Sequence, residues 1–373
     1  MVWGLGMIGA IRENVAMIAT GIISPSWKYR AMQRQAEDVR RLHLDGWRQA
    51  RQAADLLDGA ERLIVTGVGA SFHAAMVAGW HFRAIGFDAR AINAADLWRY
   101  PEQFPFRSTD AVIVISHAGV HPATKDTLIR ARAAGSTLLS VGSLSTEHEG
   151  SRLILRTVER ESAAGFTASH LAAMYVLAQV TQLLGERMRP SAVASWRHDL
   201  DRLPGMIEAT LHREDEVRVV AHDMIDRHVF AVAAGPNQAS TEELQLRLTE
   251  TGRISIESIG LEQFLHGPLM RAAAGDMAVL IRTGNRNGDR LNRLAKLQLR
   301  LGMRTWVIGD AVDAIDPACQ FILPPIDEML SPLLTLVPVQ MLAHELASIA
   351  GPAPGTRPFD RMQALRYCSE CPE

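Results

Sequence analysis

The chain has 373 residues, enough for two domains, with 47% hydrophobic positions and a mean hydropathy of +0.01, which suits a globular protein in water. Its 39 Lys and Arg against 41 Asp and Glu create no net field to recruit nucleic acid or a membrane surface, so the expected partner is a small molecule. Cys319, Cys368 and Cys371 make no disulfide framework and point to a reducing cytoplasm; Cys368 and Cys371 form a lone CxxC without a second ligand pair, so no metal is expected.

Residues 2–23 are apolar but broken by Arg12, Glu13 and Asn14. They are expected to form an amphipathic arm on the body or on a second subunit, not a bilayer span. Residues 27–57 alternate apolar and charged positions with helical period, which predicts two surface helices. RLIVT at 62–66 reads as a strand, and Gly67, Gly69 and Ser71 lead into a helix over 72–85. Strands at 88–93, 111–116 and 136–142 follow, with a helix at 125–134. This alternation predicts a parallel sheet with helices on both faces, a three-layer α/β fold. After a helix over 166–187 and a connection near Pro190, strands are expected at 228–235, 277–283 and 303–309. The strand, glycine, helix unit at Gly69 recurs at Gly235, so two similar halves are the simplest account. The assignment is an N-terminal helical arm over 1–45, one domain over 46–195, a second over 196–350 and a tail over 351–373, each domain with its own core. Residues 329–350 are apolar but carry Pro332, Pro338, His344 and Glu345, so they read as a buried helix. Together with the arm they give more hydrophobic surface than two small domains need, which suits an obligate interface.

In an open parallel sheet a ligand sits beyond the carboxyl ends of the strands, at a switch point. Two loops occupy such ends. Gly67-Val68-Gly69-Ala70-Ser71 opens a helix whose N–H groups and dipole suit an anion, while Phe72 stands where the third glycine of a dinucleotide loop would fall. Ser116-His117-Ala118-Gly119, followed by Thr124 and Thr127, closes the other strand. In the second half, a helix over 241–251 would set Glu243, Arg247 and Glu250 at i, i+4 and i+7 on one face. Such a face is either a solvated ion-paired stripe or a place where a substrate meets two carboxylates and a guanidinium. His266, just before Gly267 and Pro268, would stand outside the first turn of another helix.

Glu243, Arg247, Glu250, Glu257 and LHGPL at 265–269 resemble the second sugar-isomerase (SIS) domain of the double-SIS family, as in the isomerase half of glucosamine-6-phosphate synthase. The resemblance runs over about 27–367 and implies two flavodoxin-like SIS domains with a pocket completed by a second subunit. Ser71, Ser116, Gly119 and Thr124 match the family's phosphate cradle, with Gly69 and Ala70 in its first loop; Ala70 replaces a threonine, Ala118 replaces a serine, and the second loop is longer by Val120, His121 and Pro122. His117 and His121 are candidate replacement donors, and a sulfonate is an open alternative to phosphate. Glu161, Ser162 and the run 165–167 match the segment that lines the sugar pocket. The resemblance assigns Glu250 the proton transfer between C1 and C2, and His266 ring opening in the neighbouring protomer's pocket. It leaves Glu243 to orient the substrate or Arg247, and Arg247 to offset negative charge. Gln363 stands at the family's lysine position, which excludes a Schiff base there, and the start MVWG lacks the cysteine nucleophile of glutamine-dependent amide transfer. The implied protein is a cytoplasmic homodimeric aldose–ketose isomerase of a C6-anionic sugar, working through an enediol without cofactor or metal. An amino sugar phosphate deaminase or sugar-amine deglycase, and a non-catalytic sugar-phosphate-binding protein, are the alternatives.

Overall fold

The computed structural model describes residues 27–161, 167–251, 254–284 and 286–350. The arm over 2–23, Ser162, Gln363, Cys368 and Cys371 lie outside the described residues, as does the side chain of Glu250. The chain opens with three helices, α1 (Trp27–Gln33), α2 (Gln35–Asp45) and α3 (Trp47–Leu57). Two surface helices divided near Gly46 were expected here; that break is present, a further turn at Arg34 splits the first helix into α1 and α2, and α2 and α3 bury Val39, Leu42, Ala50, Ala53, Ala54 and Leu57. The first α/β unit then runs β1 (Arg62–Gly67), α4 (Ala70–Ala84), β2 (Asp88–Asn93), α5 (Ala94–Arg99), β3 (Asp110–Ile115), α6 (Pro122–Ala133), β4 (Thr137–Gly142), β5 (Leu153–Arg156) and α7 (Ala168–Met188). The second runs α8 (Trp196–Leu211), α9 (Glu214–Met224), β6 (His228–Ala233), α10 (Gln238–Thr251), β7 (Ser255–Gly260), α11 (Leu261–Leu265), β8 (Met277–Arg282), α12 (Gly288–Arg300), β9 (Arg304–Gly309), β10 (Gln320–Ile322) and α13 (Pro332–Ala350).

All strand pairs are parallel, in the orders β2-β1-β3-β4-β5 and β7-β6-β8-β9-β10. The two sheets therefore repeat one topology, as the recurrence of the strand, glycine, helix unit predicts. Central strands β1, β3, β6 and β8 are buried on both faces, and their unbroken β-branched runs made them legible. Strands β5, β7 and β10 were not anticipated. All three lie at sheet edges and are short or partly polar, so they lack the continuous apolar signal. The sequence after His266 forms only a single 3₁₀ turn, Pro268–Arg271, where a helix was expected.

The cores are not separate. One cluster runs from Leu42 and Val65 through Tyr175 and Trp196 to Ile207, Leu244 and Leu342, joining the inner faces of both sheets. The outer faces have their own clusters, around Val112 and Leu138 in the first unit and around Phe230, Leu280 and Leu294 in the second. Helix α13 packs on α8, α9 and α10 and buries Leu333, Leu336, Val337, Met341 and Leu346, each contributing about 1.5–3 kcal/mol relative to exposure. It is the one described helix long and apolar enough to cross a membrane, and 78% of that stretch is buried within the chain. Its apolar surface is thus consumed internally, which corrects its use as a reservoir for a subunit interface.

Candidate active site

The first switch point lies between the carboxyl ends of β1 and β3. Gly69, with φ +58°, turns the chain from β1 into α4, a conformation that a β-carbon would disfavour. Ala70 and Ser71 form the first turn of α4, so their backbone faces the site with the positive end of the helix. Across the cleft, Ser116 and Thr124 are buried together, the Thr124 hydroxyl donating to Ser116 Oγ at 3.4 Å and to the carbonyl of His121 at 2.8 Å. The loop between them turns at Gly119, with φ +68° and Thr146 packed against its α-carbon. A narrow cleft of about 20 Å³, partly open to solvent, is lined by Ser71, His117, Gly142, Thr157, Ser169 and His170.

The histidines of the second loop divide. His117 is buried, and its Nε2 accepts from the Glu161 amide at 3.0 Å, which puts the proton of the neutral ring on Nδ1. Burial lowers its pKa, against the attraction of Glu161. His121 instead caps α6, its Nδ1 accepting from the Ala123 amide at 3.2 Å. Glu161 closes the site from below: its carboxylate accepts from the Thr167 amide at 3.2 Å and the Ser169 amide at 2.9 Å, so the start of α7 already holds an anion. At the start of α4 the Ser71 amide donates to the Val68 carbonyl at 3.2 Å and the Phe72 amide to the Gly69 carbonyl at 2.8 Å, with no carboxylate among the described residues across that positive end.

Helix α10 of the second unit packs against α4 of the first. The predicted helix is present, and it turns Glu243 and Arg247 into the seam between the units. Both are buried; Arg247, at 2% side-chain exposure, approaches Glu243 Oε1 through Nε at 2.6 Å and Nη2 at 2.5 Å. His73 on α4 places Nδ1 2.6 Å from Glu243 Oε2, and His170 on α7 places Nδ1 3.3 Å from Oε1. Burial alone would raise the Glu243 pKa, but the charges of His170 and Arg247 and the donors around the carboxylate hold it well below 4.5. Neither His73 nor His170 was singled out from sequence. Each sits in an apolar helical run, where a histidine reads as core, and only the fold brings both to one carboxylate.

His266 lies on the surface just after α11, 74% exposed, with Nε2 3.8 Å from Glu262. Glu257 is also at the surface, paired with Arg271 and 3.4 Å from His228. The second switch point, between β6 and β8, is filled by protein. Asn237 donates to Thr283 and Ser331, each at 2.7 Å, and accepts from Thr335 at 2.7 Å. No group of three or more His, Cys, Asp or Glu among the described residues could hold a metal ion.

Two parallel sheets of one topology, with a cleft at the first switch point, define an α/β protein with a repeated unit. Residues 56–182 match the SIS domain model, and the second sheet repeats the topology of the first. It is 27% identical over 314 residues to glutamine–fructose-6-phosphate aminotransferase (isomerizing) of Pyrococcus horikoshii, covering 82% of this chain and 52% of that protein. The Vibrio cholerae protein of the same name is 25% identical over 314 residues, covering 80% and 51%. The chain thus spans about half the length of these curated relatives. Among solved structures, the C-terminal domain of glucosamine-fructose-6-phosphate aminotransferase from Francisella tularensis superposes with a TM-score of 0.77 at 16% identity, covering 88% of this chain and 97% of that one. Tagatose-6-phosphate ketose/aldose isomerase from Escherichia coli gives 0.71 at 18%, covering 89% and 96%.

Proposed function

We propose that the protein is an aldose–ketose isomerase of a sugar carrying an anion at C6, with the cleft between β1 and β3 as its site. The observation that carries this reading is the first switch point: Ser71 at the start of α4 lines a cleft at the ends of β1 and β3, the buried Ser116–Thr124 pair follows β3, and α10 packs on α4 with Glu243 beside His73. The α4 N-terminus and these hydroxyls suit the anion. The similarity to proteins named for fructose 6-phosphate and tagatose 6-phosphate supports the substrate class. Glu250, on the same helix as Glu243 and Arg247, is the proposed base that moves a proton between C1 and C2, forming an enediol. Arg247 offsets negative charge near the site through Glu243. His266 assists ring opening in the pocket of a second subunit, a role that its surface position supports. The assembly is a cytoplasmic homodimer with shared sites, and the chemistry needs no metal or cofactor.

A screen by NMR in deuterated water tests this reading. Fructose 6-phosphate, tagatose 6-phosphate, an amino sugar phosphate and a sulfonated sugar are each incubated with the protein. A new aldose or ketose with deuterium at the transferred position supports it; release of ammonia or free amine selects a deaminase or deglycase, and binding without turnover selects a sugar-phosphate-binding protein.

A further inference from the structure

Gly69 and Gly235 relate the two units: at φ +58° and +62° each turns the chain from a strand toward a helix, and those helices, α4 and α10, pack on each other. The first cleft therefore has a counterpart beyond the ends of β6 and β8. With Gly69 set on Gly235, Val77, His81 and Ala84 take the places of Glu243, Arg247 and Glu250, so this counterpart lacks both carboxylates on its helix. It has room instead. A half-open cavity of about 630 Å³ is lined by Trp80 and Arg83 of α4, Arg189 after α7, and Arg286, Asp327 and Glu328 of the second unit. Small-molecule sites typically measure roughly 300–1,000 Å³. Glu328 ties the cavity to the second switch point, since a β-carbon at Gly284, past β8, would meet its Oε2 at 2.9 Å, and one at Gly235, past β6, its Oε1 at 4.0 Å. The charges in the cavity are unevenly committed. Asp327 is engaged inside the protein, accepting from the Met329 amide at 2.9 Å and from Ser195 at 3.3 Å, and Glu328 lies 3.5 Å from Arg286. Arg83 donates to the Ala89 carbonyl at 2.9 Å and stands 4.8 Å from the centre of the Trp80 ring; neither it nor Arg189 has a carboxylate partner among the described residues.

We propose that this cavity is a second, non-catalytic site for a phosphorylated sugar. Arg83 and Arg189 take the phosphate, because a guanidinium fork matches its oxygens and gains charge-assisted hydrogen bonds. Glu328 accepts from sugar hydroxyls, and the indole of Trp80, 36% exposed, covers an apolar face of the sugar ring. Ala84 and Val77 stand where the proposed base and its neighbouring glutamate stand in α10, so the ligand binds here without turnover. The proposal goes beyond the isomerase reading and does not depend on Glu250. Helix α4 joins the two places: its first turn carries Ala70 and Ser71 to the first cleft, and its last turns carry Trp80 and Arg83 to the second.

Amide hydrogen–deuterium exchange of the full chain, read by mass spectrometry, locates the ligand. Fructose 6-phosphate, tagatose 6-phosphate and an amino sugar phosphate are titrated to millimolar concentration beside fructose and inorganic phosphate. At least one sugar phosphate is expected to slow exchange in residues 80–86 and 189–192, with higher affinity than fructose or inorganic phosphate. Arg83→Gln and Arg189→Gln should each weaken that protection by about 10-fold or more, whereas Ser71→Ala, in the first cleft, should leave it in place. No protection of these segments by any of the sugar phosphates, equal protection by inorganic phosphate or fructose, or protection that survives both arginine substitutions overturns the proposal. Protection confined to the first cleft overturns it and leaves the isomerase reading standing. Arginine-dependent protection of the second cavity alone upholds it and removes the first cleft as the sugar site.

Discussion

Replacing Glu243 by Gln keeps the shape of the side chain and removes the charge that faces Arg247, His73 and His170. Glu243 is fully buried and the Arg247 side chain is 2% exposed, so water screens neither. Breaking a buried pair by altering one partner costs about 3–5 kcal/mol, because the other charge stays in a low-dielectric site. On a joined core of this size that lowers the melting temperature by on the order of 4–6 °C. The pH dependence supplies a sharper check. The native pKa of Glu243 lies well below 4.5, so its contribution is fully present above pH 4.5 and is lost as pH falls from there toward the depressed native value. The gap in stability between wild type and variant, measured by urea unfolding from pH 7 to pH 3, should thus be widest at neutral pH and close on acidification. A variant within about 0.5 kcal/mol of wild type at pH 7, or a gap that stays constant down to pH 3, would refute the buried-network account.

Ser71→Ala and Ser116→Ala should each weaken binding of fructose 6-phosphate by roughly 1.5–3 kcal/mol while barely changing binding of unphosphorylated fructose, as read by calorimetric titration; equal losses for both ligands would move the anion elsewhere. Gly119→Ala forces a residue with a β-carbon into φ +68°, with that carbon 2.7 Å from Thr146 Cγ2, and should cost about 2 kcal/mol in thermal unfolding together with a loss of anion affinity. His81, fully buried with Nε2 donating to the Met329 carbonyl at 2.8 Å, has its pKa lowered from 6.5 to about 4, chiefly by burial. A histidine kept neutral by the fold stabilises fully above pH 6.5 and loses that contribution as pH falls toward 4, about 3 kcal/mol in all. His81→Gln should flatten the stability profile across that window.

The architecture was legible wherever a strand is buried on both faces, because a run such as AVIVI leaves no room for another reading. The edge strands were not, since Ser255–Gly260 alternates charge and apolar character as a surface loop would. The i, i+4 geometry of Glu243 and Arg247 followed from helical period alone. What sequence could not give was the other wall: His73 and His170 lie 170 and 73 residues from Glu243, and only the packing of α10 on α4 and α7 makes them neighbours. The resemblance pointed to Ser71, Ser116 and Thr124, and the fold sets the loops that carry them after the adjacent strands β1 and β3. The surplus apolar surface ascribed to the last helix was a miscount of a different kind. A linear pattern shows that α13 is apolar but not that α8, α9 and α10 already cover it.

The central claim is that a glutamate on α10 moves a proton between adjacent sugar carbons, and proton NMR of fructose 6-phosphate and tagatose 6-phosphate in deuterated water tests it most directly. The account predicts that the wild-type protein replaces one hydrogen at C1 by deuterium, and that Glu250→Gln binds the same sugar with unchanged affinity yet exchanges about 10²-fold more slowly or less. Exchange at the wild-type rate in Glu250→Gln would contradict it.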